Sequence, residues 1–444
     1  MRNTRLLRIV SNYNFWVLAC FFFSLSFAQI YRFSDPVKKH NVVISDAKGY
    51  YAYFAGAFIH GDMNFKFNQT VELKDHPETR YTDYRYKVNR EKIYTKYYVG
   101  TAVAYTPVLL LAHWISQING WQSDGYTTWY HSAVVIASLL YLLIALFFIG
   151  KVLDHFEVSH WAKILSVVVM YLGTNWFYYT TWESGMSHSY SVAVMAFFLY
   201  YFIRVHSTLK LRNALILGLL LGFITLIRPT NLFIVAFIPI VFKSWSAFLK
   251  FFTQKFLSIK VILLGLLGFL AVISIQFIIY KIQIDEWYIY GYLGETFDFS
   301  NTHFLDFLFS IRKGFFVYTP IMIFSIIGLI KWYSKAQFQP IYWLVVMFVH
   351  TYILSSWHMW WYGGTLGTRV MVEYYLFWLI PMGIFLSEVK RIHLTWIIPI
   401  FICLGFYGHL QIHQYILGLL HWDSMTWELY KDIFLYPLIP YNTF

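Results

Sequence analysis

Asp46 is the residue of this sequence best placed to do chemistry. It lies about fifteen residues past the first long apolar run, in Ser45-Asp46-Ala47-Lys48-Gly49-Tyr50-Tyr51-Ala52-Tyr53-Phe54. A carboxylate there can take the proton of an attacking hydroxyl. It can equally cap a helix, which Asp does well. Tyr50, Tyr51, Phe54 and Phe58 recur at helical spacing and predict an amphipathic helix on the membrane surface, with Asp46 near its start. Lys96, in Lys96-Tyr97-Tyr98-Val99-Gly100, is either a snorkelling anchor or a cation for a phosphate. Arg228-Pro229 interrupts an apolar stretch, where an arginine is costly and usually paired or functional. Arg312 and Lys313 precede Tyr318-Thr319-Pro320 and are candidates to face a phosphate.

Two further clusters carry polar groups. Glu183-Ser184-Gly185-Met186-Ser187-His188 joins two apolar runs; its groups either satisfy helix ends or border a polar cavity. The histidines do not have zinc-site spacing. The densest constellation is Trp357-His358-Met359-Trp360-Trp361-Tyr362-Gly363-Gly364-Thr365-Leu366-Gly367-Thr368-Arg369. Its glycines suit tight turns, and its aromatics suit either an interfacial belt or a platform for a sugar ring. Arg369 and Glu373 are four apart and could pair on one helix face.

The elements that must position these residues follow from composition. Of 444 residues, 59% are hydrophobic, 22% aromatic and 13% charged. Soluble domains carry about 25% charged residues, so a bilayer is the expected solvent. Disorder and a disulfide scaffold are excluded, the latter because there are two cysteines, both in apolar runs. Eleven runs are candidates for spans: 14–31, 129–150, 162–181, 188–203, 212–227, 230–242, 260–281, 315–330, 338–356, 371–387 and 393–410. The expected fold is therefore an all-α polytopic membrane protein of about 11 spans, in one domain over 1–444. The first run also resembles a cleavable signal peptide, through its basic start and Ser26-Phe27-Ala28.

Lys and Arg in short loops mark the cytoplasmic side. Clusters at Arg2/Arg5/Arg8, Lys151/Lys163, Arg204/Lys210/Arg212, Lys243/Lys250/Lys255/Lys260, Lys331/Lys335 and Lys390/Arg391 share one side only if 97–119 does not cross. That segment is expected to lie in or re-enter the outer face. The N-terminus is then inside. A first loop over 32–128 with surface helices, further loops at 282–314 and 357–370, and the tail 411–444 are then outside. The formal net charge is +12. The inner clusters hold nearly all of that excess, so it signals orientation and not nucleic-acid binding.

The chain resembles the type C glycosyltransferases, polytopic enzymes that include protein O-mannosyltransferases and the lipid A aminoarabinose transferase. The resemblance is carried by layout and by Asp46, Ser187-His188, Arg228-Pro229-Thr230-Asn231, Gly314 through Pro320, and Trp361-Tyr362-Gly363-Gly364 through Gly367-Thr368-Arg369. It implies transfer of a sugar from a polyprenyl-phosphate donor to a hydroxyl of a glycolipid, polysaccharide or protein, on the periplasmic face of a bacterial inner membrane. Asp46 would be the general base of an inverting displacement. Lys96, Arg228, Arg312, Lys313 and Arg369 would hold phosphate, and Glu183, His188, Tyr318, Trp357, His358, Trp361, Gly363 and Gly364 would border the sugar or acceptor. Many members carry paired acids in the first loop, whereas Asp46 has no adjacent acid. No metal ligand is assigned, and a divalent cation, Mg or Mn, is left open. Two rival classes are a transporter or flippase for lipid-linked saccharides and a non-catalytic partner in envelope polysaccharide assembly.

Overall fold

The computed structural model describes residues 12–35, 42–76, 84–88, 92–292, 294–434 and 436. The expected Arg2/Arg5/Arg8 cluster lies outside them, as do parts of the first loop and of the C-terminal tail. Most of the described chain is helical, which an apolar solvent requires because each backbone group must be bonded within its own segment. In chain order the helices are α1 (Tyr13–Ala28), α2 (Asp46–Phe54), α3 (Gly100–Ile118), α4 (Thr128–His155), α5 (His160–Leu172), α6 (Asn175–Thr181), α7 (His188–Val205) and α8 (Leu211–Ile227). There follow α9 (Trp245–Phe251), α10 (Ile259–Ile284), α11 (Phe304–Phe309), α12 (Phe315–Tyr318), α13 (Ile323–Tyr333), α14 (Phe338–Ser355), α15 (Tyr375–Glu388), α16 (Arg391–Ile416) and α17 (Trp427–Ile433). Two 3-10 helices, Pro229–Val241 and Arg369–Tyr374, precede α9 and α15.

Among the described residues, seven helices are long and apolar enough to cross a membrane: Tyr13–Phe33, Thr128–His155, His188–Thr208, Ile259–Ile284, Phe338–Ser355, Arg369–Glu388 and Ile392–Ile416. An eighth arises if Pro229–Val241 and Trp245–Phe256, bent by 114°, count as one. His160–Leu172, Leu211–Ile227 and Pro320–Tyr333 are apolar but shorter. All eleven apolar runs are therefore helical, but not all are full-length helices. The run over 162–181 is divided at Gly173-Thr174, where Thr174 accepts from the Trp176 N–H and starts α6. The run over 315–330 breaks at Thr319-Pro320, because proline cannot continue the helix it follows.

Arg369–Glu388 is the centre of the bundle and almost wholly buried. α13 crosses it where Gly328 admits the Pro381 carbonyl; a Cβ there would meet that oxygen at 2.0 Å. α8 and α10 approach through Gly218, Gly222, Gly265 and Gly268, the small-residue contact by which apolar helices pack closely. α10 and α16 instead leave most of their apolar side chains outward, Leu267 and Trp396 among them. α1 continues in a wider turn to Phe33 and is locked to the bundle: Ser24 bonds the Tyr171 hydroxyl at 2.6 Å, and the buried Arg32 lies 4.3 Å over the Trp182 ring.

Loop contacts define two ends. At one, His155 at the end of α4 bonds the Val241 carbonyl, Ser159 N–H donates to Ser387, and Lys335 pairs with Glu388. At the other lie Asp46, Arg228, the 182–187 loop and residues 291–312. α3 begins and ends at that second end. Gly100 sits against the Leu226 and Ile227 backbone, and His113 bonds Tyr130 in the first turn of α4.

Candidate functional site

Asp46 occupies the first turn of α2, and its side chain does not cap the helix. One oxygen accepts from Arg369 Nη1 at 2.9 Å and the other from the Tyr97 hydroxyl at 2.6 Å. Burial pushes this carboxyl up, but Arg369, Tyr97 and Lys96 outweigh it and hold it below the usual carboxylate range. Its side chain remains 28% exposed, so an ionised oxygen is within reach of a ligand.

Four glycines let the surrounding segments close on this carboxylate. Gly49 leaves room for the Tyr97 ring, which a Cβ would meet at 2.1 Å. Gly100 sets the head of α3 against the end of α8, beside Arg228. Gly185 lies on Ala47 and brings in the Glu183 loop; Gly291 lies on Lys96 and brings in Glu295. Backbone bonds then fix the register. Gln276, in the middle of α10, accepts from Val99 N–H at 2.8 Å and donates to the Tyr53 hydroxyl, which itself donates to the Tyr97 carbonyl.

α2 is the clearest departure from the sequence reading. Residues Ala47 through Phe54 are all buried, so it is enclosed by protein and is not an amphipathic surface helix. The aromatic spacing that suggested a lipid-facing stripe serves ring packing instead, with Tyr50 on Tyr97 and Tyr51 among Phe54, Tyr105 and Tyr126. Behind it Lys48 and Glu72 form a buried ion pair at 2.7 Å, with the Glu72 carboxylate also accepting from Tyr84 and Asn68.

Arg369 and Glu373 do not pair. They lie in one 3-10 helix, whose three residues per turn put positions four apart about 120° apart in azimuth. Arg369 turns to Asp46. Glu373 turns inward, 3.0 Å from both His188 Nδ1 and Arg228 Nη1. The Arg369 turn is held from below: Asn175 and Tyr179 bond the Leu366 backbone, and the Lys313 ammonium donates to the Thr365 carbonyl.

Six of the candidate residues therefore converge: Asp46, Lys96, Glu183, His188, Arg228 and Arg369. Lys96 bonds Glu295 at 2.8 Å and lies 5.2 Å over the Tyr292 ring. Burial of Lys96 works against its charge, but Glu295 more than compensates and raises it above the ordinary lysine range. Glu183 accepts from Tyr178, and burial lifts its carboxyl to about 7 despite the opposing Arg369. Glu183 Oε2 and Arg369 Nε are buried with no hydrogen-bond partner among the described residues.

The remaining candidates frame the site. Lys313 is 2% exposed, and burial lowers its ammonium to about 7. Arg312 stacks 3.5 Å over Trp361 and pairs with Asp423, which also accepts from Trp361 Nε1 at 2.6 Å. Tyr318 donates to the Ile311 carbonyl and packs where Gly367, at φ +60°, has no side chain. Gly363, at φ +69°, forms the turn with Tyr362, and Gly364 is exposed beside Trp422. Trp357 pairs its backbone with Phe297, and His358 N–H donates to the Thr296 carbonyl, which positions Glu295. Tyr97 adjoined a chosen lysine in sequence; Glu295 and Asp423 carried no local signal.

No group of three or more His, Cys, Asp or Glu side chains could hold a metal ion among the described residues. Both Asp46 oxygens are engaged, by Arg369 and by Tyr97. No family model matches the chain, and neither a curated protein nor a solved structure matches it significantly.

Proposed function

We propose that the protein is an integral membrane glycosyltransferase that moves a sugar from a polyprenyl-phosphate donor to an acceptor hydroxyl. The observation that carries this reading is the partly exposed Asp46 carboxylate, bonded by Arg369 and Tyr97 at one end of an apolar helical bundle. A lipid-linked donor keeps its chain in the bilayer and presents its phosphate at such an end. The acceptor oxygen attacks the anomeric carbon while the bond from that carbon to the phosphate oxygen breaks. The hydroxyl proton passes to Asp46, and the electron pair leaves with the phosphate, giving inversion. The leaving group is already an anion, so the second carboxylic acid of glycoside hydrolysis is not needed.

Arg369, Lys96 and Arg228 supply the positive field for the developing phosphate charge. Arg369 is the pivotal cation, since a donor phosphate competes with Asp46 for its guanidinium. Each step toward the phosphate leaves the carboxylate more basic, which couples donor binding to base strength. The reading places the site on the periplasmic side of a bacterial inner membrane. The basic loops at the opposite end favour that orientation. Mass spectrometry of lipid co-purified with the full chain tests it. A polyprenyl-phosphate sugar, lost in an Arg369→Gln, Lys96→Gln variant, supports the assignment; phospholipid alone removes it.

One observation favours a second reading. Glu373, His188 and Arg228 form a buried ionisable group inside the bundle, as in ion-coupled transporters of lipid-linked saccharides. Saccharide movement across proteoliposomes that stops on collapse of a proton gradient would select it.

A further inference from the structure

A cavity of about 580 Å3 lies toward the end opposite Asp46, between α7, α8, α10, the 3-10 helix Pro229–Val241 and the segment Trp245–Phe256. Its volume falls within the range of about 300–1,000 Å3 typical of small-molecule sites. Its walls are apolar, with Phe202, Leu217, Val235, Val261 and Phe269 among them. Nothing in the Asp46 centre uses it.

The chain above this cavity is built for a membrane surface. After Val241 it turns by 114°, so Trp245–Phe256 runs across the bundle instead of along it. Phe248, Phe252 and Phe256 line the cavity from this segment, at spacings of four. Trp245 and Leu249 face outward, 48% and 40% exposed. Lys250 and Lys255 on the same segment, and Lys260 at the head of α10, are exposed. None of the ion pairs formed among the described residues includes these three lysines. Lys243 nearby is different, because it pairs with Glu157.

We propose that the cavity is a binding site for an anionic phospholipid. One acyl chain enters the apolar space between α8, α10 and Val235. The phosphate headgroup rests against Lys250, Lys255 and Lys260. A cavity this apolar attracts any hydrocarbon chain, and the three unmatched cations, next in sequence to the lining residues Phe251, Phe256 and Val261, select the negative headgroup. The site is separate from the Asp46 centre, so its test does not depend on the transferase reading.

Native mass spectrometry of the detergent-purified full chain decides it, with phosphatidylglycerol and phosphatidylcholine of identical acyl chains as probes. The wild type should retain phosphatidylglycerol roughly tenfold better. A variant carrying K250Q, K255Q and K260Q should retain both lipids equally, at the phosphatidylcholine level. Val235→Trp, at a 45% exposed position of the lining, should lower retention of both. Equal retention by the wild type, or a preference that survives the triple variant, would overturn the proposal. Displacement of phosphatidylglycerol by polyprenyl phosphate at equal concentration would also overturn it, assigning the cavity to an isoprenoid chain.

Discussion

The two ends of this bundle spend their charges differently. At the Asp46 end the central ion pairs are enclosed and cross-link separate segments: Asp46 to Arg369, Glu373 to Arg228, Lys48 to Glu72. The carboxylates of Glu373 and Glu72 are 2% exposed or less. At the opposite end Lys243 and Glu157 are 85% and 78% exposed, and Lys335 and Glu388 are 51% and 39% exposed. Exposed pairs contribute little because water screens them. Enclosed pairs cost desolvation and persist only where every charge has a partner. On the proposed reading, function lies at the Asp46 end, and the charges at the opposite end serve orientation and lipid contact.

The sharpest way to break the contrast is at Glu373. Glu373→Gln leaves Arg228 buried without its counterion and should destabilise the protein by about 3–5 kcal/mol. Thermal unfolding in detergent reads this out, and a loss below about 1 kcal/mol would make the two ends alike.

A smaller effect should come from Glu183, whose carboxyl rises from its ordinary 4.5 to about 7 on burial. The folded chain keeps this proton where the unfolded chain has released it. Glu183 therefore makes stability fall as pH rises from about 4.5 to 7. Asp46 acts in the opposite sense, because its lowered carboxyl stabilises the fold above the carboxylate range and stops doing so in acid. Melting temperature against pH, compared between wild type and Glu183→Gln, should show the Glu183 fall between about pH 4.5 and 7 only in the wild type.

The smallest effect is expected at the opposite end. Lys243→Gln should change stability by no more than about 1 kcal/mol, and added salt should erase even that.

Much of this arrangement was legible in the sequence. Apolar runs announce helices because the bilayer demands internal backbone bonding, and all eleven have helical counterparts. Asp46, Arg228 and Arg369 stood out because ionised groups are rare beside such runs. Their partners were not legible. Asp46 and Arg369 meet across most of the chain, and the local spacing favoured Glu373 for Arg369 until the 3-10 geometry turned them apart. α2 shows the same limit, since aromatic periodicity marks a buried helix and a lipid-facing one alike. Glu295 and Asp423 sit in loops with no periodicity, so only the fold assigns them to Lys96 and Arg312.

The central claim is that Asp46 takes the acceptor proton. The most direct measurement is release of polyprenyl phosphate from a polyprenyl-phosphate sugar, supplied with envelope acceptor, by wild type and by Asp46→Asn. Protein is matched for folded amount in the same bilayer. The account predicts a loss of about 10²- to 10⁴-fold in the variant, the range for removal of a general base. Equal release by the two proteins would contradict it.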